Sequence, residues 1–192
     1  HSDHGFVRKR RRKGAVLVQQ NSIWRCQRLG LSCSLNHSDM SNAFGSSSWL
    51  ELATTVENDI LEAEDYQFGL QRFQWSCIEF RCPDGSLLLR PRCGALMGDP
   101  FAVFSFSFSF ARPIQEWNMA HLNYFGTEAL QLGTMCPVPV NGCCHFTDLS
   151  LTKFADDSSK LIVNGRGERV EELADRSFVS VGLLDEALLP RG

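Results

Sequence analysis

The sequence predicts an α+β domain, and three observations support that class. The chain has 192 residues, of which 43% are hydrophobic and 21% are charged, so it can bury a core of its own. Residues 77–90 and 149–163 each contain two β-leaning runs around a turn signal, which is typical of a hairpin. Apolar residues recur at helical spacing elsewhere. The composition excludes disordered and fibrous proteins, and no apolar run reaches the roughly 18–20 residues of a membrane span.

The first third of the chain predicts helices around one short strand. A helix is expected over residues 14–29, followed by a stop at Gly30 and a β-leaning run over residues 31–39. A second helix is expected over residues 47–61, with residues 68–75 as a further helical piece. The apolar side of the first helix consists of Ala15, Val18, Ile23, Trp24 and Cys26.

The rest of the chain predicts two hairpins and a final helix. Pro83-Asp84-Gly85 is a strong turn signal, and residues 155–159 form the expected tip of the second hairpin. Residues 120–148 lack sustained periodicity and are expected to form a loop-rich insertion. A helix over residues 168–189 is expected to bury one side of apolar residues. These are Val170, Leu173, Ala174, Phe178, Val181, Leu184 and Leu188.

Charge is distributed unevenly along the chain. Residues 1–30 contain eight Lys and Arg but one acidic residue, whereas the other 162 residues contain 11 basic and 21 acidic ones. A basic segment on an acidic body indicates a polyanionic partner, with a solvated arm or a nuclear-import signal as alternatives. An intracellular or nuclear location is therefore expected. The candidate nucleic-acid contacts are Arg8, Lys9, Arg10, Arg11, Arg12 and Lys13.

The eight cysteines do not predict a zinc site or a disulfide framework, because no two have C-x2-C spacing. The nearest approach to a metal cluster is Cys136 with Cys143, Cys144 and His145. Adjacent cysteines make a poor tetrahedral site, so reduced intracellular thiols are the expectation.

Three carboxylates predict a cation site. Asp156 and Asp157 fall at the tip of the second hairpin, and Asp39 ends the first strand. Adjacent carboxylates repel one another unless a cation or a shared proton neutralises them. If the two elements are neighbours in one sheet, Asp39 and Asp156 converge, and such oxygen-only ligands suit Mg²⁺. The alternative is that Asp-Asp-Ser-Ser is simply a good turn sequence.

Four blocks in register resemble the reverse transcriptases of non-long-terminal-repeat retrotransposons and group II introns. Residues 154–157, Phe-Ala-Asp-Asp, are similar to the F/Y-x-D-D signature of that family. Residues 39–44 resemble its D-x-x-x-A-F block, and residues 94–100 its G-x-x-Q-G-x-P block. His4-Gly5-Phe6 and the basic residues after it are similar to Q-x-G-F-x-x-x-R.

The resemblance implies a polymerase palm, that is, a small antiparallel sheet with helices packed on one face. Residues 1–30 would be a basic arm and a fingers-to-palm helix, and residues 31–192 the palm, with fingers incomplete and a thumb absent. The Ser/Phe alternation of residues 101–110 predicts a strand by itself, but the family has a helix there, so a helix is expected over residues 100–118. Phe101, Phe104, Phe108, Ala111 and Ile114 would form its buried stripe.

The resemblance also assigns roles to matched residues. Asp39 and Asp156 would bind two Mg²⁺ ions, or Mn²⁺, with Asp157 in support, and the three would be the catalytic residues. Phe44 would lie under the incoming sugar and favour deoxynucleotides by steric exclusion, unless it is a core residue. The loop under the nucleotide would contain Gly94, Met97, Gly98 and Pro100. The implied partners are an RNA template, a DNA primer and deoxynucleoside triphosphates, with no membrane.

Other functions stay open at the level of sequence. An RNA-dependent RNA polymerase shares the palm and the paired aspartates, although Phe44 argues against ribonucleotide use. An inactive remnant of a retroelement that at most binds nucleic acid is favoured by Met97, which stands where the family has Gln, and by the acidic body of the chain. An α+β domain that uses its Asp-Asp turn structurally is the simplest alternative.

Overall fold

The computed structural model of the chain is an α+β structure and describes residues 11–40, 43–59, 62–94, 99–126, 135–140, 143–165 and 167–189. The helices are α1 (Arg12–Arg28), α2 (Ala43–Ser46), α3 (Trp49–Asp59), α4 (Ala63–Trp75), α5 (Pro100–Phe125) and α6 (Val170–Leu188). The strands are β1 (Cys33–Ser38), β2 (Ile78–Cys82), β3 (Gly85–Leu89), β4 (Met135–Val140), β5 (Cys143–Asp148), β6 (Leu151–Phe154) and β7 (Asp157–Val163). None of the helices in these ranges is both long enough and apolar enough to cross a bilayer.

The strands form antiparallel sheets. The largest has the order β1-β7-β6, and β2-β3 and β4-β5 are two-stranded hairpins. The chain divides into two compact units, the first comprising residues up to Met40 and Pro113–Ala187, and the second Ser41–Arg112 with the last residues from Leu188. The division falls inside α5 at Pro113, which lacks the amide hydrogen that would bond the carbonyl of Ser109.

In the first unit, strand β7 lies in the centre of the sheet and is buried on both faces from Ser158 to Val163. Side chains alternate between faces along a strand, so both faces must be covered. Helix α1 covers one of them, where Cys26 and Leu31 pack against Leu161 and Val163.

Helices α5 and α6 cover the opposite face of the same sheet. The Lys160 Nζ donates hydrogen bonds to Asn118 Oδ1 of α5 at 2.6 Å and to Ser150 Oγ at 2.8 Å. The Asn36 Nδ2 of β1 donates to the Ser177 carbonyl of α6 at 3.0 Å. The expectation of helices on one face is therefore wrong, because β7 is buried on both of its faces and each face needs a covering layer.

The second unit is built mainly from helices. Leu52 and Val56 of α3 are fully buried and pack against Tyr66 of α4 and Phe101 of α5. The Thr55 hydroxyl shares a hydrogen bond with Ser109 Oγ of α5 at 3.1 Å. The β2–β3 hairpin forms as predicted around Pro83-Asp84, and all of its residues except Ile78 are exposed.

Helix α5 confirms the helical prediction for the Ser/Phe run and extends it to Phe125. The predicted buried stripe is confirmed at Ile114 but is wrong at Phe104 and Phe108, which are exposed, while Phe106 and Phe110 are buried instead. Serines fill the buried face beside them. The hydroxyls of Ser105 and Ser109 donate to the carbonyls of Phe101 and Ser105, so the helix itself satisfies these groups.

The buried sides of α1 and α6 also differ from the predicted ones. In α6, Leu173 and Leu184 are buried as predicted, but the third buried residue is Ser180, and Phe178 is 77% exposed. The Ser180 backbone carbonyl accepts a hydrogen bond from the indole of the buried Trp117 at 2.8 Å, and a small side chain here leaves room for the indole to reach the backbone of α6. In α1, Trp24 is exposed and Arg28 lies 5.0 Å from its ring centroid.

The predicted loop-rich insertion contains regular structure. Helix α5 continues to Phe125, and β4 pairs with β5 from Met135↔Asp148 to Val140↔Cys143. The sequence does not predict this hairpin, because Pro137 and Pro139 argue against a strand. A two-stranded ribbon tolerates these prolines at its free edge. The side chains of the zinc alternative, Cys136, Cys143, Cys144 and His145, lie outside the described residues.

Gly30 ends α1 through backbone geometry that few other residues adopt. Its φ is 66°, the Leu31 amide donates to the Cys26 carbonyl at 2.9 Å, and the Gly30 amide donates to the Gln27 carbonyl at 3.1 Å. These two bonds define a Schellman turn, which satisfies the last carbonyls of the helix and redirects the chain towards β1.

We predict that Gly30→Ala lowers the free energy of unfolding by about 1 kcal/mol, because alanine is strained at positive φ. The matched control is Gly182→Ala inside α6, where an added Cβ meets no atom within 4 Å. That control is expected to be neutral or stabilising, since alanine is the better helix former. Urea unfolding of both variants measures the difference, and equal changes would contradict this account of the turn.

Candidate metal centre

The three predicted metal ligands belong to one end of the β1-β7-β6 sheet. Ser38, the last residue of β1, pairs with Ser158, so Asp39 follows β1 at the end where Asp157 begins β7. Asp156 lies in the turn that joins β6 to β7, next to the Phe154↔Asp157 pair. The prediction that β1 and this hairpin are neighbours in one sheet is confirmed.

The turn that joins β6 to β7 is tighter than predicted. Only Ala155 and Asp156 separate β6 from β7, whereas the sequence predicts a tip over residues 155–159. Ser158 and Ser159 favour turns by composition, but here they are buried in the central strand. Ala155 has φ 57°, the only positive φ at a non-glycine among the described residues. A two-residue hairpin loop requires positive φ at its first position, which explains this conformation.

The donor type fits Mg²⁺, since all three groups are carboxylates that supply oxygen ligands. Asp39 is exposed, and Asp156 and Asp157 are half-buried. Across the part of the chain that the structure describes, no three or more His, Cys, Asp and Glu side chains are grouped so that they could hold a metal ion. The three carboxylates thus lie at one end of the sheet without forming a ligand cluster. The side chain of the exposed Asp39 can adopt another rotamer at small cost.

His37 is a further polar group at this end of the sheet, and sequence reasoning missed it. His37 and Ser159 are directly opposite across β1 and β7, and the His37 Nδ1 shares a 2.7 Å hydrogen bond with Ser159 Oγ. The His37 Nε2 lies 3.8 Å from Asp157 Oδ1. The imidazole is therefore held between a buried hydroxyl and one of the predicted metal ligands. Only the register of β1 against β7 brings His37 to Ser159, and the local sequence does not reveal that register.

A hydroxyl, an imidazole and a carboxylate in contact are also the parts of a nucleophilic triad. The exposure of these groups argues against that chemistry. Ser159 is 3% exposed, whereas the His37 side chain is 59% exposed. A substrate would therefore reach the base and not the nucleophile. The arrangement positions Asp157 and His37 on rigid strands.

In the second unit, two of the predicted nucleotide-binding residues lie together. A Cβ added at Gly94 would be 2.7 Å from the Phe44 carbonyl oxygen and from Gly45 Cα. The Gly94 amide donates to the Ser47 carbonyl at 2.7 Å, and the Trp49 indole donates to the Gly94 carbonyl at 3.1 Å. The two blocks that contain Phe44 and Gly94 are thus in contact.

The surroundings of the other nucleotide-binding candidates are mixed. Phe44 is half-buried in α2, and its ring centroid is 5.0 Å from that of Phe106, a contact that also fits a core phenylalanine. Pro100 is the first residue of α5, and Asp99 accepts a hydrogen bond from the Phe101 amide at 3.0 Å as the helix cap. Met97 and Gly98 lie outside the described residues.

An open aromatic cleft of about 370 Å³ adjoins the start of α5. Phe68, Phe101 and Phe104 form its apolar walls. Arg72 and Asp99 supply its charges, with Arg72 Nη2 2.6 Å from Asp99 Oδ2. Flat aromatic walls beside a donor and an acceptor suit a planar polar ring.

The basic segment is described in part. Arg8, Lys9 and Arg10 lie outside the described residues, while Arg11, Arg12 and Lys13 are exposed at the start of α1. Gln19 of α1 donates to Thr152 Oγ1 at 2.7 Å, and Thr152 pairs with Ser159 near the hairpin turn. Since Cys26 packs at the far end of β7, the N-terminus of α1 points towards the carboxylate end of the sheet.

Comparison with known proteins gave no matching family model and no matching curated protein. The likeness to reverse transcriptases therefore rests on the four sequence blocks alone.

We predict that Gly94→Ala lowers the free energy of unfolding by about 3 kcal/mol, because it adds a steric clash to the strain of positive φ. Gly126→Ala is the matched control. Gly126 has φ +73°, close to the +76° of Gly94, but an added Cβ meets nothing within 4 Å. Its cost is expected to be about 1 kcal/mol. Urea unfolding compares the two, and equal losses would show that the contact with Phe44 and Gly45 carries no steric constraint.

We predict that Ala155→Gly raises the free energy of unfolding by about 1 kcal/mol, because glycine adopts the turn conformation without strain. Ala174→Gly on the exposed side of α6 serves as the control and is expected to lower it by about 1 kcal/mol, as glycine does in helices. Thermal unfolding of both variants checks the opposite signs. Destabilisation by Ala155→Gly would show that the turn is not strained.

Proposed function

We propose that this chain carries the palm of a reverse transcriptase, which transfers nucleotides from deoxynucleoside triphosphates to a primer on an RNA template. The observation that supports this most strongly is the pairing of β1 with β7. It brings Asp39 to the end of the sheet that holds Asp156 and Asp157, which are more than 110 residues away along the chain. Rigid strands that carry carboxylates at the same end of a sheet are the scaffold that such chemistry needs.

In the proposed reaction the primer 3′-hydroxyl attacks the α-phosphate of the nucleotide, and pyrophosphate leaves. Asp39 and Asp156 would hold Mg²⁺ or Mn²⁺, with Asp157 in support, and bound divalent ions supply charge neutralisation for this kind of transfer. The strained turn at Ala155 fixes the direction of the backbone that bears Asp156 and Asp157. No covalent intermediate on the protein is required, so positioning and electrostatics account for the catalysis.

The nucleotide would be bound by the Phe44 and Gly94 segments, whose close approach supports a common loop. Phe44 would exclude a ribose 2′-hydroxyl, since an aromatic ring held against Phe106 cannot yield to an added oxygen. The exposed cations at the start of α1 would contact template phosphates, and charge neutralisation of this kind dominates affinity for nucleic acids. A polymerase of this type would act inside the cell, and its basic segment suits the nucleus.

A second candidate is an inactive remnant that binds nucleic acid without catalysis. It is favoured by the finding that, among the described residues, Asp39, Asp156 and Asp157 belong to no group of side chains that could hold a metal ion. The basic start of α1 would then act alone, as a polyanion contact. An RNA-dependent RNA polymerase is the third candidate, and nucleotide choice separates it from the first.

We predict that the protein in its full-length form extends a DNA primer on an RNA template with deoxynucleotides and Mg²⁺ or Mn²⁺. Asp39→Asn and Asp156→Asn are each expected to lower the extension rate by about 100-fold or more, because a lost charged group at the reacting phosphate raises the barrier. The control is Asp185→Asn on the exposed side of α6. This variant has the same net charge as the two test variants, and an exposed substitution is expected to leave the fold intact.

Each result of the extension assay decides between the candidates. Equal extension by the parent chain and by Asp156→Asn would end the metal assignment. Extension with ribonucleotides in preference to deoxynucleotides would identify an RNA polymerase. Salt-dependent binding of the RNA–DNA duplex without any extension would identify the inactive remnant.

A further inference from the structure

Two thiols touch where α1 ends and β1 begins. Cys26 is fully buried in the last turns of α1, and Cys33, the first residue of β1, is half-buried. Each thiol affects the pKa of the other, so the two side chains lie close together. Both belong to the apolar cluster that Leu161 and Val163 of β7 complete, so the contact is part of the packing between helix and sheet.

The backbone holds both cysteines in place. The Schellman turn at Gly30 binds the Cys26 carbonyl to the Leu31 amide, and Cys33 pairs with Val163 in the sheet. A disulfide requires the two Cβ atoms to lie about 3.5–4.5 Å apart. Because the two side chains pack in one cluster and the backbone on either side is fixed, side-chain rotation is the motion that would bring the sulfurs together. The other described cysteines, Cys77, Cys82 and Cys93, are exposed.

We propose that Cys26 and Cys33 are a redox modification site, at which a small-molecule disulfide such as oxidised glutathione converts the thiol pair to a reversible intramolecular disulfide. This inference is independent of the proposed function. It assigns a role to two cysteines that the metal centre does not use.

The exchange proceeds in two steps. The Cys33 thiolate attacks one sulfur of the reagent, whose S–S bond breaks, and the first glutathione leaves as a thiolate that takes up a proton. The Cys26 sulfur then loses its proton to solvent and attacks Cys33 Sγ, which releases the second glutathione. Two protein thiols are oxidised, and one glutathione disulfide is reduced to two thiols.

Burial and bonding give the order of these steps. Burial, and the neighbouring Cys33, raise the pKa of Cys26 to about 11. Burial also raises the pKa of Cys33, but the hydrogen bond from the Cys26 thiol lowers it. Cys33 is thus the better thiolate and the more accessible one, whereas the fully buried Cys26 reacts only with a disulfide formed beside it.

The experiment is peptide mapping of the folded chain after treatment with oxidised glutathione. Free thiols are alkylated, and the protein is digested with trypsin without reductant. Cleavage after Arg25, Arg28 and Arg72 places Cys26 in peptide 26–28 and Cys33 in peptide 29–72, neither of which contains another cysteine. We expect the two peptides to be joined, with a mass two hydrogens below their sum, and to separate on reduction.

The accompanying measurement is the urea midpoint of the oxidised chain, which is expected to rise because the bond closes the loop from residue 26 to residue 33. Cys82→Ser is the control and should leave both the linked peptide and the rise unchanged, since Cys82 is exposed on the β2–β3 hairpin. Recovery of Cys26 in alkylated form, or of Cys33 bearing glutathione with Cys26 free, would overturn the proposal. So would a link that forms equally well when the chain is first unfolded in urea.

Discussion

The burial of strand β7 on both of its faces is the constraint on which the first unit depends. A strand buried on two sides needs a layer on each, and α1 on one side and α5 with α6 on the other supply those layers. It also brings polar groups into the interior. Lys160 is fully buried, and its Nζ donates to Asn118 and Ser150, because a buried polar group is tolerated only with close hydrogen-bond partners.

The same strand fixes the position of the candidate site. Its pairing with β1 has Cys33 opposite Val163 and Ser38 opposite Ser158. A slip by one residue would turn the buried Leu161 to the other face and separate His37 from Ser159, so the core and the site depend on one register. Packing on both faces therefore sets the register that brings Asp39 and Asp157 to the same end of the sheet.

Local signals predicted much of this fold, and tertiary contacts decided the rest. The Pro83-Asp84-Gly85 turn and the stop at Gly30 act through neighbouring residues, and both elements form where expected. The inward face of α6 depends on the indole of Trp117, 63 residues from Ser180. Likewise, the pairing of His37 with Ser159 joins residues 122 apart, so no window of sequence contains it. Sequence blocks predicted the carboxylates, but not the imidazole beside Asp157.

The polar end of β1 follows from its place at the edge of the sheet. No residue of β1 is buried, and polar residues on an edge strand also protect it from pairing with other chains. Asn36 bonds the backbone of α6 and His37 bonds β7, so the polarity of this strand is used within the fold. A charged substrate needs ligands that solvent can reach, on a backbone that does not move. An accessible edge beside a central strand buried on both faces meets both requirements, which is why the carboxylate end is the candidate site.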